Sequence, residues 1–218
     1  MPVTSTTRRL TRPTEGFSTT CLLSQPDRPV RLFLSSDYQP KYAYPLVMLF
    51  HANGADEDSA ARLAPLLSRR NYIIAAPRGP VNLGLDRTGR PAFSWNATDS
   101  EYLRSVLTYA REKYSIHSQR LYLLGVGEGA AAAYRFGLEL GDAVAGVVAL
   151  NGELPTETKK EMRGLRLFLG HGLSNPMVPM WLARRSSRLL TRAGAVVQLQ
   201  TYPTSHRIHA DMLRDVNR

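Results

Sequence analysis

Leu121-Tyr122-Leu123-Leu124-Gly125-Val126-Gly127-Glu128-Gly129-Ala130-Ala131-Ala132-Ala133 sets the architecture of this chain. Leu121–Leu124 is an apolar run of strand length, and the alanines that follow are the strongest helix formers. Between the two, glycines stand at alternate positions 125, 127 and 129. The pattern predicts a buried strand that turns sharply into a helix. Gly125 and Gly129 are bare because side chains there would collide where strand and helix cross. Gly127 occupies the centre of the turn.

The flanking sequence repeats the alternation of strand and helix. Pro45–Phe50 is a continuous apolar run, as expected of a central strand buried on both faces, and leads into the small-residue turn His51-Ala52-Asn53-Gly54-Ala55. A helix with Ala60, Leu63, Leu66 and Leu67 on one face is predicted next, with Pro65 in its first turns or kinking it. Tyr72–Ala76 is a further strand, ending in Pro77-Arg78-Gly79-Pro80. From residue 78 to Ala97 periodicity is weak; a structureless stretch of about twenty residues inside a domain is typically functional or mobile. It carries Trp95 and is expected to roof a cleft. Thr98-Asp99-Ser100-Glu101 reads as a capping box before a helix with Leu103, Val106, Leu107 and Ala110 on one face.

The glycine-rich turn leads into a helix over Glu128–Leu140, closed by Gly141-Asp142. Val144–Leu150, Leu165–Leu169 and Val196–Thr201 are strands. Pro179 opens a helix that stops at Gly194, and His206 lies in the turn before a closing helix. On the N-terminal side, residues 1–15 read as a flexible arm. Phe17–Leu23 and Val30–Leu34 read as antiparallel edge strands, with Pro26-Asp27-Arg28-Pro29 as the turn between them. The expectation is an α/β fold with a mostly parallel central sheet covered by helices on both faces, in one domain over residues 16–218.

Composition narrows the class. The 218 residues are 43% apolar and 21% charged, as in a soluble globular domain. The single cysteine, Cys21, excludes an internal disulfide and suits a reducing compartment. No apolar run reaches membrane-span length and Met1–Gly16 has no apolar signal core, so a cytoplasmic protein is expected. The net charge of +10 rests on scattered arginines. The densest sets are Arg8, Arg9 and Arg12, and Arg184, Arg185, Arg188 and Arg192. The second set lies opposite Leu182, Leu189 and Leu190 on its predicted helix, the pattern of a solvated face. No zinc-finger spacing or aromatic RNA-binding signature accompanies it, which argues against a nucleic-acid partner. His206, His209 and Asp211 match no established ligand spacing, and neither metal nor cofactor is expected.

Five landmarks occur in one order: Leu49-Phe50-His51 with its small-residue loop, Ala76-Pro77-Arg78-Gly79-Pro80, the 125–129 turn, His171-Gly172 through Val178-Pro179, and Tyr202-Pro203 before His206. On these residues the chain, from 44 to 215, resembles the α/β hydrolase superfamily. The branch it is most similar to is that of phospholipase/carboxylesterase and acyl-thioesterase enzymes, with some likeness to depolymerase-type esterases around Trp95. The resemblance implies an α/β hydrolase fold and a G-x-S-x-G nucleophile elbow at 125–129. It puts Gly127 at the serine nucleophile position, Asn175 at the position of the acid in an HGxxDxxVP-like turn, and His206 at that of the base. The oxyanion hole falls on the backbone amides of Asn53 and Glu128. Ala52 stands where the family has glycine, which narrows that approach.

Gly127 offers no atom to attack and no proton to remove, and Asn175 can orient an imidazole without offsetting its charge. In subtilisin, losing the nucleophile costs about a millionfold in turnover and leaves roughly a thousandfold over water. Glycine also accepts a positive φ without the ~1–3 kcal/mol strain of such a turn, and Glu128 gains roughly 0.3–1 kcal/mol from the helix dipole. The expected protein is therefore a catalytically inactive α/β hydrolase. Its expected role is to bind a small apolar or acyl ligand, or a protein partner, with a cleft between the 78–97 stretch, Asn53, Gly127 and His206. The alternatives are an active carboxylesterase or thioesterase using a non-standard nucleophile or a His206-activated water, and a basic surface for an anionic polymer. Ser94, Ser174 and Ser205 occupy no predicted elbow, and Glu153 reads as a solvated loop residue rather than a relocated acid. His51 and His171 read as loop hydrogen-bonding residues.

Overall fold

In the computed structural model, which describes residues 15–96, 99–154, 162 and 164–217, the strands are β1 (Gly16–Leu22), β2 (Gln25–Leu34), β3 (Tyr44–Phe50), β4 (Ile73–Pro77), β5 (Val81–Leu85), β6 (Pro91–Ser94), β7 (Ile116–Val126), β8 (Gly146–Leu150), β9 (Arg166–Gly172) and β10 (Val196–Tyr202). The α-helices are α1 (Glu57–Ala61), α2 (Ala64–Leu67), α3 (Ser100–Lys113), α4 (Glu128–Leu140), α5 (Met180–Arg192) and α6 (Ala210–Val216). The arm expected over residues 1–15 lies, apart from Glu15, outside the described residues, as does Thr98.

Eight strands form one sheet in the order β1-β2-β4-β3-β7-β8-β9-β10. From β4 to β10 neighbouring strands are parallel, while β1–β2 and β2–β4 are antiparallel. This is the α/β hydrolase architecture. Every residue of β3, β4 and β8 is buried, which is why their sequences carry unbroken apolar runs. Along β3 the side chains alternate between two cores: Leu46, Met48 and Phe50 face the layer holding α3, α4 and Leu190 of α5, and Val47 and Leu49 face that of α1, α2 and α6. No described helix is long and apolar enough to cross a membrane.

Several local expectations are corrected. The β1–β2 hairpin turns at Leu23-Ser24, and Pro26–Pro29 lies within β2 rather than in a turn. The prolines are tolerated because this part of β2 pairs only with β1; its ladder to β4 begins at Val30 opposite Pro77. The single helix expected around Ala60–Leu67 is two short ones. Pro65 sits in the first turn of α2, where its missing N–H costs nothing, and it could not have continued the ladder of α1. Leu66 is left exposed.

The expected structureless stretch from 78 to 97, described as far as Asn96, holds two strands: β5 and β6 form a separate two-stranded ribbon. Asp86 shapes its tip, Oδ1 accepting from the Thr88 and Arg90 amides at 2.7 and 2.9 Å. β5 is almost wholly exposed, so it carries no apolar alternation to betray it. α3 is capped by Asp99, the carboxylate accepting from the Tyr102 amide at 3.2 Å. On α5 the buried residues are Ala183, Ser186 and Leu190, with Leu182 and Leu189 only half-buried. Arg184, Arg185, Arg188 and Arg192 are exposed as a solvated face should be.

Candidate active site

At the end of β7 the backbone of Gly127 takes φ 56° and ψ −120° and caps α4. Its amide donates to Leu150 O at 2.9 Å, and its carbonyl accepts from Ala130 N at 3.1 Å. A Cβ at Gly129 would lie 2.5 Å from Phe50 O and against His51 O, and one at Gly125 would strike the Gly129 backbone. The outer glycines are bare for the steric reason inferred from the sequence: α4 starts directly against the end of β3. Gly127 is different. A Cβ there would meet only Ala52, at 3.5 Å to its Cβ, an ordinary contact. Backbone angle alone favours glycine at the centre of the turn.

A cavity of ≈ 530 Å³ opens over this turn, with Asn53, Gly127, Glu128, Glu153, Met177 and His206 among its lining residues. The amides of Asn53 and Glu128 donate to no acceptor among the described residues. They lie where the first turn after β3 meets the N-terminus of α4, whose leading N–H groups have no helical partner. His206 is exposed, and its ring makes no hydrogen bond among the described residues. Its loop is held by Asn151, a residue the sequence reading did not single out. Asn151 Nδ2 donates to His206 O and Arg207 O at 3.1 and 3.2 Å, and Oδ1 accepts from Gly172 N at 2.8 Å. Asn151 has φ 54° just past β8, and asparagine is among the few residues enriched there. An Asn-Gly pair ending an apolar run was the only available signal.

Asn175 is buried and is not among the residues lining the cavity. Oδ1 accepts from the Met177 and Val178 amides at 3.0 and 3.2 Å, shaping the turn before α5, while Nδ2 has no partner. No hydrogen bond joins Asn175 to His206. Glu128 also lines the cavity, but its carboxylate is tethered. Oε2 accepts from Trp95 N at 2.9 Å and Oε1 from Ser94 Oγ at 3.1 Å, so the carboxylate ties the end of β6 to the start of α4.

Trp95 was expected to line the pocket under a roof made by residues 78–97. Instead its ring is 1% exposed, packed against Phe50 and His51 with centroids 5.1 and 5.2 Å apart, and it lies outside the cavity lining. The ribbon braces the turn after β3 from behind: Gly54 N donates to Phe93 O and Phe93 N to Ala55 O, both at 2.9 Å. A partly buried ion pair holds the same corner, with Arg78 donating to both Glu57 oxygens at 2.6 and 2.8 Å. Ser94, its hydroxyl committed to Glu128, is buried in this brace.

His51 Nε2 accepts from Gly79 N at 2.9 Å, so the proton sits on Nδ1, which donates to Ala52 O at 2.8 Å. His171 Nε2 donates to Val178 O at 2.8 Å. Burial pushes both imidazoles below their usual 6.5, so the folded state favours their neutral forms. Their contribution to stability is complete above pH 6.5 and is lost as pH falls below it, since the unfolded chain then binds more protons. Urea melts from pH 8 to 5 are expected to show this decline, with a shallower slope in His51→Gln, whose amide oxygen can still accept from Gly79. An unchanged slope in that variant would remove His51 as a source of the effect.

The sheet order, the strand-turn-helix elbow and the histidine loop above it define an α/β hydrolase of the esterase type. Residues 39–218 match the sequence profile of the phospholipase/carboxylesterase family, and the chain belongs to that family. Solved structures agree at the level of fold. A carboxylesterase from Mesorhizobium loti superposes with TM-score 0.71 at 19% identity, over 93% of this chain and 97% of that one. The Bacillus cereus carboxylesterase gives 0.64 at 18% identity, over 80% and 86%. A phospholipase/carboxylesterase from Dyadobacter fermentans gives 0.63 at 18% identity, over 94% and 97%. No protein of curated function matches the sequence.

Proposed function

We propose that this chain is a non-hydrolysing member of its family that binds a small neutral acyl compound, an ester or thioester, in the cavity above Gly127. The observation that supports this reading is the glycine at the elbow: position 127 has room for a side chain, at a backbone angle that disfavours one, and itself offers no nucleophile. The walls include Ala52, Val126, Ala131, Met177 and Val178, which suit an apolar acyl chain. The amides of Asn53 and Glu128 suit a carbonyl oxygen. The Glu128 carboxylate beside them disfavours a full anion, so a neutral ester fits better than a free acid.

The experiment is direct. Purified protein is expected to take no label from a fluorophosphonate probe and to leave short p-nitrophenyl esters at the buffer rate. Ethyl butyrate is expected to raise the melting temperature, as any ligand of the folded state does. Labelling of one serine, or ester turnover abolished by His206→Ala, would overturn the reading.

A further inference from the structure

The opposite end of the sheet carries a second hollow. Tyr44 opens β3, Tyr72 precedes β4, and Arg120 and Tyr122 lie where β7 comes alongside β3, Leu121 opposite Leu46. Here an open cleft of ≈ 690 Å³ is lined by these residues together with Arg70 and Tyr42, among others. Behind it, against α2 and α6, is a cavity of ≈ 230 Å³ with apolar walls from Val47, Leu67, Leu124, Val148 and Val216. Tyr72 and Tyr122 line both spaces, so these two rings stand at the boundary between them. Tyr122 precedes Gly127 by five residues, about 16 Å at ~3.3 Å per residue, so this hollow is separate from the site above the elbow.

The two spaces differ in chemistry. Protein interiors leave few voids larger than a water molecule, and apolar cavities that do exist take apolar guests. The outer cleft is cationic. Arg120 forms no ion pair among the described residues, and the pair Arg70 makes with Asp37 is exposed on both sides at 3.6 Å, which adds little. At the junction, the Tyr72 hydroxyl donates to Asn217 Oδ1 at 2.9 Å, and the Tyr122 hydroxyl has no partner among the described residues. Burial, with Tyr122 nearby, raises the pKa of Tyr72, which keeps that hydroxyl a donor.

We propose that this end of the sheet binds an amphiphilic monoanion, a carboxylate with an unbranched apolar tail. The head sits between Arg70 and Arg120, and the tail passes Tyr72 and Tyr122 into the inner cavity. At ~30 Å³ per water-sized group, the ≈ 230 Å³ inside takes roughly seven or eight carbons, which points to octanoate-length chains. The site is independent of the acyl-binding reading for the other end, where a neutral ligand is favoured.

Calorimetric titration of the full chain at low salt tests it, with octanoate, octanol and acetate as probes. Octanoate is expected to bind, and octanol and acetate at least about tenfold more weakly, because each lacks one half of the recognition. Arg70→Glu with Arg120→Glu, both on exposed side chains, is expected to weaken octanoate at least about tenfold and leave octanol unchanged. Val216→Trp, from the half-buried face of α6, is expected to fill the inner cavity and weaken both, with circular dichroism reporting the fold. Ala131→Trp, which narrows the cavity above the elbow, is expected to leave octanoate binding unchanged. Absence of octanoate binding, binding indifferent to the arginine pair, or binding lost in Ala131→Trp would each overturn the proposal.

Discussion

Gly129→Ala and Gly125→Ala are expected to yield almost no folded protein, while Gly127→Ala folds and loses only about 1–3 kcal/mol of stability. All three add one methyl group within five residues of chain. At 129 that carbon would lie 2.5 Å from Phe50 O, and at 125 it would strike the Gly129 backbone. Neither neighbour is a side chain that can change rotamer, so relief requires α4 to move off the end of β3 in the first case and off the end of β7 in the second. Losses above ~4–5 kcal/mol come from such defects, and a domain of this kind has only ~5–15 kcal/mol in total. At 127 the methyl meets Ala52 at 3.5 Å and the only penalty is a non-glycine residue at φ 56°. Soluble yield, circular dichroism and urea midpoints of the three variants separate the cases. Equal stability of all three would mean that α4 does not cross β3 as closely as described.

The same contrast explains what could be read from the sequence. Gly125 and Gly129 record a collision between two backbones, and that constraint is local enough to appear as a spacing. The buried strands β3, β4 and β8 were legible because burial on both faces demands an unbroken apolar run. The ribbon β5–β6 was not, because β5 is open to water and leaves composition free. Trp95 was visible as a large aromatic, but nothing in a linear sequence says which way such a ring turns; it turns into the core, against Phe50 and His51. Asn151 was missed for a related reason. Its work is done by hydrogen bonds to residues 21 to 56 positions away, and a single asparagine after a strand has many ordinary explanations. Sequence likewise identified the residue type at 175 but not the orphaned Nδ2 or the absent bond to His206.

That orphaned group gives the second large expected effect. Gly127→Ser alone is expected to hydrolyse p-nitrophenyl acetate only slightly faster than the parent, and Gly127→Ser with Asn175→Asp to exceed that single variant by roughly 10²–10⁴. The serine Cβ has room beside Ala52, and the elbow already holds the φ that presents it. A hydroxyl without a charge-balanced imidazole remains a weak nucleophile, however, since Asn175 cannot stabilise the imidazolium that forms as His206 takes the proton. Aspartate at 175 keeps the acceptor for the Met177 and Val178 amides and replaces the unpartnered Nδ2 with a second carboxylate oxygen. Those two N–H groups favour its ionised form against burial. His206→Ala in the double variant is expected to return the rate to that of Gly127→Ser. Glu128 sets a ceiling on the gain: its carboxylate, fixed by Ser94 and Trp95, stays beside the amide that would receive the oxyanion. A folded double variant no faster than Gly127→Ser would mean that the 175 side chain and the His206 ring do not come together in solution.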